Sequence, residues 1–219
     1  YQLRHALTPS QVADWLQVAL WAGQDDEVVK VWRRYQVYMP IPARGTAAAA
    51  QALRNQKQWQ TSLTLWQQAL SQAPGSDDYR IGYIKTLADA RKDGEALSEA
   101  RRLVAEQASV AHLQTLSYVY LRLGKSWDQL LVDTQILDRE PQNKTALASL
   151  MATLTRNRID SPALGLANSV ELTPAEKRNL QLNAAAELVR LADTPSREEK
   201  ARYALARTAL TQYDAMIAA

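Results

Sequence analysis

A spacing of 34 residues recurs along this chain and limits what it can fold into more than any other feature. Asp25, Trp59, Asp93 and Trp127 stand at successive steps of 34, Leu53, Leu87 and Leu121 keep the same interval, and Pro40, Pro74 and Pro141 hold it to within one residue. A period of this length belongs to a helix–turn–helix unit that is too small to bury its own apolar face and becomes stable by stacking on its neighbours. Phe is absent, Gly numbers only 7, and Ala, Leu and Gln recur, a composition that favours helices over twisted sheets. Almost no strand is expected.

The segment from Ala43 to Ser76 shows the repeat most clearly. Small Ala50 and large Leu53 fall on a first helix, Ser62, Trp66 and Ala69 on a second, and Pro74 closes the unit. Small residues let paired helices approach, and large ones fill the space between one pair and the next. This is the tetratricopeptide pattern, so the expected fold is all-α, a superhelical solenoid of antiparallel helix pairs. One period earlier, Trp15, Ala19, Val28, Trp32 and Pro40 take comparable registers, with Thr8-Pro9 as N-cap and first helical residue. A third unit keeps Leu87, Ala96, Ala100 and Leu103 but lacks a closing proline; a fourth carries Leu113, Leu116, Tyr120, Leu121, Gly124, Trp127, Leu130, Leu131 and Leu137 before Pro141. The expected organisation is four repeats over about 9–42, 43–76, 77–109 and 110–143, then divergent helical repeats over 144–219. In that last stretch the ruler is expected to fail, although Thr173-Pro174-Ala175-Glu176 and Ser196-Arg197-Glu198-Glu199 mark helix starts as capping boxes. The final helix carries Leu205, Ala209, Tyr213 and Met216 on one face, which suggests the first part of a longer array.

Signals for chemistry are sparse. The two histidines, His5 and His112, lie far apart and in no ligand spacing, and there is no phosphate loop, nucleophile elbow or His-Glu-x-x-His pattern. His112, near a helix start, is expected at the surface or in packing. No catalytic residue, metal or cofactor is expected. The acidic groups Asp25-Asp26-Glu27, Asp77-Asp78 and Glu198-Glu199 fall at helix starts, where carboxylates favour the positive end of the helix dipole. The formal charge of +3 is the small difference of 26 basic and 23 acidic residues, which gives nucleic-acid binding little support. Cysteine is absent, so neither disulfides nor thiolate metal sites arise. No apolar run of membrane-spanning length occurs, and the sequence opens at Tyr1 without the apolar stretch of a secretion signal, as expected of processed or excised material.

Six Trp and nine Tyr are expected mainly as packing elements. Trp15, Trp32, Trp59, Trp66 and Trp127 are assigned to the core. Trp21 differs, because its register late on the first helix faces the groove of stacked units. By the same register the groove is expected to be lined by Gln17, Gln51, Arg54, Asn55, Lys85, Asp89 and Arg122.

Several stretches go beyond repeat consensus: Ala13-Asp14-Trp15-Leu16-Gln17-Val18-Ala19-Leu20-Trp21-Ala22-Gly23-Gln24, Pro42-Ala43-Arg44-Gly45, and Gln58-Trp59-Gln60-Thr61-Ser62-Leu63-Thr64-Leu65-Trp66-Gln67-Gln68-Ala69-Leu70. Together with Thr86-Leu87-Ala88-Asp89-Ala90 and Ala186-Glu187-Leu188-Val189-Arg190-Leu191, they resemble the PgaA/HmsH family of outer-membrane exporters of poly-β-1,6-N-acetylglucosamine. The resemblance implies the N-terminal part of a periplasmic repeat region whose full-length chain carries an outer-membrane β-barrel. It implies docking of the periplasmic polysaccharide deacetylase, and guidance of the partially deacetylated polymer toward the pore as a second role. A groove for that polymer should offer carboxylates for its amines and aromatic faces for its rings. Asp89 and Trp21 fit, whereas Arg54, Lys85 and Arg122 argue against strong cation binding, so protein docking is the expected main task. The alternative is a general adaptor that holds extended peptides in its groove.

Overall fold

The computed structural model describes residues 7–140 and 142–156. Among these residues there are nine α-helices and no strand: α1 (Pro9–Trp21), α2 (Asp25–Tyr35), α3 (Ala43–Asn55), α4 (Trp59–Gln72), α5 (Asp77–Asp89), α6 (Asp93–Glu106), α7 (Val110–Arg122), α8 (Ser126–Arg139) and α9 (Lys144–Arg156). The odd-numbered helices start at 9, 43, 77, 110 and 144, intervals of 34, 34, 33 and 34. The period therefore runs on into α9, where the sequence pattern suggested that it fails. The capping boxes at Thr173 and Ser196, and the last helix, lie outside the described residues.

Local chemistry sets these bounds. Thr8 forms a reciprocal capping box with Gln11 ahead of Pro9, Ser76 and Ser109 accept from the backbone N–H of Tyr79 and His112, and the Asn143 side chain accepts from Ala146 N at 3.0 Å. Between the two helices of each unit, one residue adopts a left-handed conformation: Gly23, Lys57, Arg91 and Gly124, with φ of 71°, 61°, 61° and 69°. The next backbone N–H then reaches back five residues, as in Gln24 N to Ala19 O at 2.9 Å and Gln58 N to Leu53 O at 2.8 Å, a Schellman closure. The same closure recurs from Lys92 to Leu87 and from Lys125 to Tyr120.

That last bond corrects one register. Leu121 was aligned with Leu53 and Leu87, but the 33-residue interval puts Tyr120 in their place. Tyr120 is accordingly buried, while Leu121 is exposed.

The chain divides into two compact units, Tyr1–Ala100 and Arg101–Ala219, with the boundary on α6. In the first unit, Val12, Leu16, Ala19, Val28, Trp32, Leu53, Leu65 and Trp66 form a continuous core. Close approach of α1 and α3 depends on Gly45: a Cβ there would stand 2.9 Å from Ala13 Cα and 2.7 Å from Ile41 Cγ2. Gly82 on α5 likewise leaves room for the Trp66 ring, which tilts at 43° against Tyr79. Ser62 and Ala50 are both buried and joined, Ser62 Oγ donating to Ala50 O at 2.7 Å, so the small serine also satisfies its hydroxyl.

Of the five tryptophans assigned to the core, Trp32 and Trp66 are buried, Trp59 is half-buried, and the Trp127 side chain lies outside the description. Trp15 is a correction: it is 40% exposed. Its register-mate Ala49 is buried on α3, whereas Trp15 lies at the edge of the Val12, Ala13, Leu16 and Ala19 side of α1.

In the second unit, Leu113, Leu116, Val119, Leu130, Ile136, Leu137 and Leu150 are buried on α7, α8 and α9. His112 is a packing residue here, 3% exposed, with Nδ1 2.6 Å from Gln107 O.

Candidate binding surface

The first unit gathers most of the candidate residues at the C-terminal turns of α1, α3 and α5. Registers 34 or 35 apart on these helices become spatial neighbours. Arg54 Nε meets Asp89 Oδ2 at 2.7 Å, with both side chains largely shielded from solvent. Lys85, one turn before Asp89, is pushed below the usual lysine range by burial and by the Arg54 charge, while Asp89 pulls the other way. On the same side of α3, Gln51 Nε2 donates to Asn55 Oδ1 at 2.8 Å, and Asn55 Nδ2 donates to both oxygens of Asp25 at 3.1 and 3.0 Å.

Asp25 was read only as a helix-start acid and was missed as part of this surface. The available signal was its position at the start of α2, beside the turn that joins it to the end of α1. Asp26 is tied similarly, accepting from Gln56 Nε2 at 2.8 Å. Near the other end of these helices Arg44 bridges to Asp14 at 2.7 Å and to Ser10 Oγ at 2.6 Å.

Two cations, Arg54 and Lys85, thus face two carboxylates, Asp89 and Asp25. A balanced, internally hydrogen-bonded surface of this kind suits neither a strongly anionic nor a strongly cationic ligand, because each incoming charge must displace an existing partner. Gln17 is half-buried on α1. Arg122 is exposed at the end of α7, in the second unit.

What α1 adds is apolar. Trp21 is 77% exposed, Val18 59% and Trp15 40%, at steps of three residues, so they form a band that winds along the helix. Exposed aromatic and aliphatic groups in one band mark a surface that gains from being covered. Among the described residues no three His, Asp or Glu side chains converge to hold a metal ion, and no helix is long and apolar enough to cross a membrane.

Paired helices at a 34-residue period, repeated Schellman turns and a shared core define an α-helical repeat protein of the tetratricopeptide class. Solved structures agree in fold: a tetratricopeptide repeat protein from Parabacteroides merdae has a TM-score of 0.63 at 9% identity, covering 94% of this chain and 86% of its own. MamA from Desulfovibrio magneticus RS-1 has a TM-score of 0.56 at 16% identity, covering 85% of this chain and 97% of that one. At the level of sequence, the chain is 42% identical over 216 residues to the poly-beta-1,6-N-acetyl-D-glucosamine export protein of Escherichia coli, in both strain K12 and O157:H7. The match covers 99% of this chain and 26% of the relative, so the chain spans about a quarter of the length of the export proteins it matches. The resemblance read from the sequence therefore holds, and the chain is homologous to a segment of these exporters. No family model matches it.

Proposed function

We propose that this chain is a periplasmic scaffold segment, N-terminal in an outer-membrane exporter of poly-β-1,6-N-acetylglucosamine, and that it docks the periplasmic polysaccharide deacetylase. Guidance of the partially deacetylated polymer is its second and weaker role. The observation that supports the reading is the 42% identity to the export protein sustained over 99% of the chain. The surface chemistry supports the ranking of the two roles. A polymer bearing amines needs carboxylates not already engaged, and Asp89 and Asp25 are held by Arg54 and Asn55. A protein partner needs an apolar centre with a polar rim, and exposed Trp21 with the Gln51, Asn55 and Asp25 chain supplies both kinds of group.

Calorimetric titration of the chain with purified deacetylase, for wild type and Trp21→Ala, tests the proposal. Saturable binding weakened at least tenfold by the substitution is the expected result. Binding to deacetylated oligosaccharide without binding to the enzyme would reverse the ranking, and micromolar binding of unrelated peptides would favour a general adaptor.

A further inference from the structure

The second unit holds a buried acid that none of the proposed binding roles uses. Asp133, in the middle of α8, is 1% exposed. Its two oxygens are engaged from two different helices: Ser117 Oγ on α7 donates to Oδ1 at 2.6 Å, and Ser149 Oγ on α9 donates to Oδ2 at 2.6 Å. Ser149 in turn accepts from Gln129 Nε2 at 2.6 Å, one turn back on α8. Gln129 is 2% exposed, and its Oε1 is buried with no hydrogen-bond partner.

Among the described residues no cation is paired with the carboxylate. The titratable and charged groups on the packed helices are His112, Tyr118, Tyr120 and Arg122 on α7 and Lys144 and Arg156 on α9, with Asp128, Asp138 and Arg139 on α8 itself; among the described side chains Asp133 bonds only to the two serines. An ionised carboxylate held by two neutral hydroxyls in an apolar setting is poorly stabilised against its protonated form. Burial accordingly pushes the acid up to about 6, opposed by the two serine hydrogen bonds.

The chain from Gln129 to Asp133 is built so that it works in either direction. With Asp133 ionised, the amide Nε2–H donates to Ser149 Oγ, whose hydroxyl donates to Oδ2. With a proton on Oδ2, the carboxyl donates to Ser149 Oγ, the serine hydroxyl turns to donate to Gln129, and the amide rotates by half a turn to present Oε1 in place of Nε2. One proton is taken up, no heavy atom leaves its position except by exchange of the amide O and N, and Ser117 still donates to Oδ1. A serine, which both donates and accepts, is the group such a link requires.

We propose that Gln129, Ser149 and Asp133 form a reversible hydrogen-bond relay across the α8–α9 contact, through which the folded unit takes up one proton on mild acidification. The relay makes the α7–α8–α9 packing respond to the pH of its compartment. The acid is held more firmly when neutral, so the folding equilibrium of this unit strengthens on acidification, by up to about a hundredfold when the group shifts from 3.8 to about 6.

Carbon-13 detected titration of the Asp133 carboxyl, recorded with the side-chain amide signals of Gln129 in the full 219-residue chain, tests the relay. The expected result is an Asp133 midpoint near 6 with the Gln129 amide resonances moving at the same midpoint. An Asp133 midpoint near 4 would overturn the proposal, and so would a raised midpoint during which the Gln129 amide stays still. Urea unfolding of Asp133→Asn provides a second measurement: the difference between wild type and variant should change about fiftyfold in folding equilibrium constant between pH 4 and pH 7, and a constant difference counts against the relay.

Discussion

Replacing Gly45 with alanine adds one methyl group where α3 crosses α1. Helix propensity alone favours this change by up to about 1 kcal/mol. Packing opposes it, because the new Cβ would stand 2.9 Å from Ala13 Cα and Cβ and 2.7 Å from Ile41 Cγ2, well inside ordinary carbon–carbon contact. The Ala13 Cα belongs to a helix backbone and cannot rotate aside, so α1 must move off α3 as a whole and loosen the Val12, Leu16 and Ala49 contacts with it. Overpacking of this kind costs about 1–3 kcal/mol. The net effect is a loss of about 1–2 kcal/mol, which for a unit of this size lowers the midpoint of thermal unfolding by about 4–8 °C per kcal/mol. Gly94→Ala on α6 is the matched control, because a Cβ there meets nothing within 4 Å. Thermal melts followed by circular dichroism should show Gly45→Ala destabilised and Gly94→Ala neutral or slightly stabilised. An alanine at 45 that matches or exceeds wild type would refute the claimed approach of α1 and α3.

Three further outcomes follow from the same geometry. Lys57 and Arg91 hold left-handed backbones that cost a side-chain-bearing residue about 1 kcal/mol, so Lys57→Gly and Arg91→Gly should each raise the urea midpoint, and a fall at both positions would contradict the turn assignment. Asp89→Ala leaves the shielded Arg54 without this partner and should cost about 1–3 kcal/mol, whereas Glu27→Ala breaks an exposed pair with Lys30 and should cost under about 1 kcal/mol; equal losses in denaturant titration would count against the burial of the first pair. Trp21→Ala should leave the melting temperature within about 2 °C of wild type, because the side chain is 77% exposed, and a larger drop would show that Trp21 is structural.

Much of the fold was legible because the repeat leaves its marks at chemically demanding positions. Thr8, Ser76 and Ser109 are there to cap, Gly23 and Gly124 to turn left-handed, and Ala50 with Ser62 to let helices touch. The turns at Lys57 and Arg91 carry no such mark, since stacking holds them in place against their own preference. Trp15 was misplaced because repeat register alone does not separate the buried Ala49 position from the edge of the buried stripe on α1, where Trp15 stands. Leu121 was misplaced because one interval is 33 residues and the hydrophobic pattern tolerates leucine on either side of the slip.

The candidate surface was legible as a face and not as a network. Helical spacing puts Gln51, Asn55, Lys85 and Asp89 in line, but nothing in one sequence says that Arg54 pairs with Asp89 or that Asn55 reaches Asp25. Those pairings arise between helices, and they turn a row of separate charges into a surface with little net charge. Asp133 was missed for a related reason: an aspartate with serines 16 residues away on either side looks polar and external until the helices around it are in place.

The most direct test of the docking account is amide hydrogen exchange on this chain with and without saturating periplasmic deacetylase. The account predicts slowed exchange concentrated in the last turns of α1 and α3, around Gln17–Trp21 and Gln51–Asn55, with α4 and α6 unchanged. Protection confined to those even-numbered helices, or no protection anywhere at saturating enzyme, would contradict it.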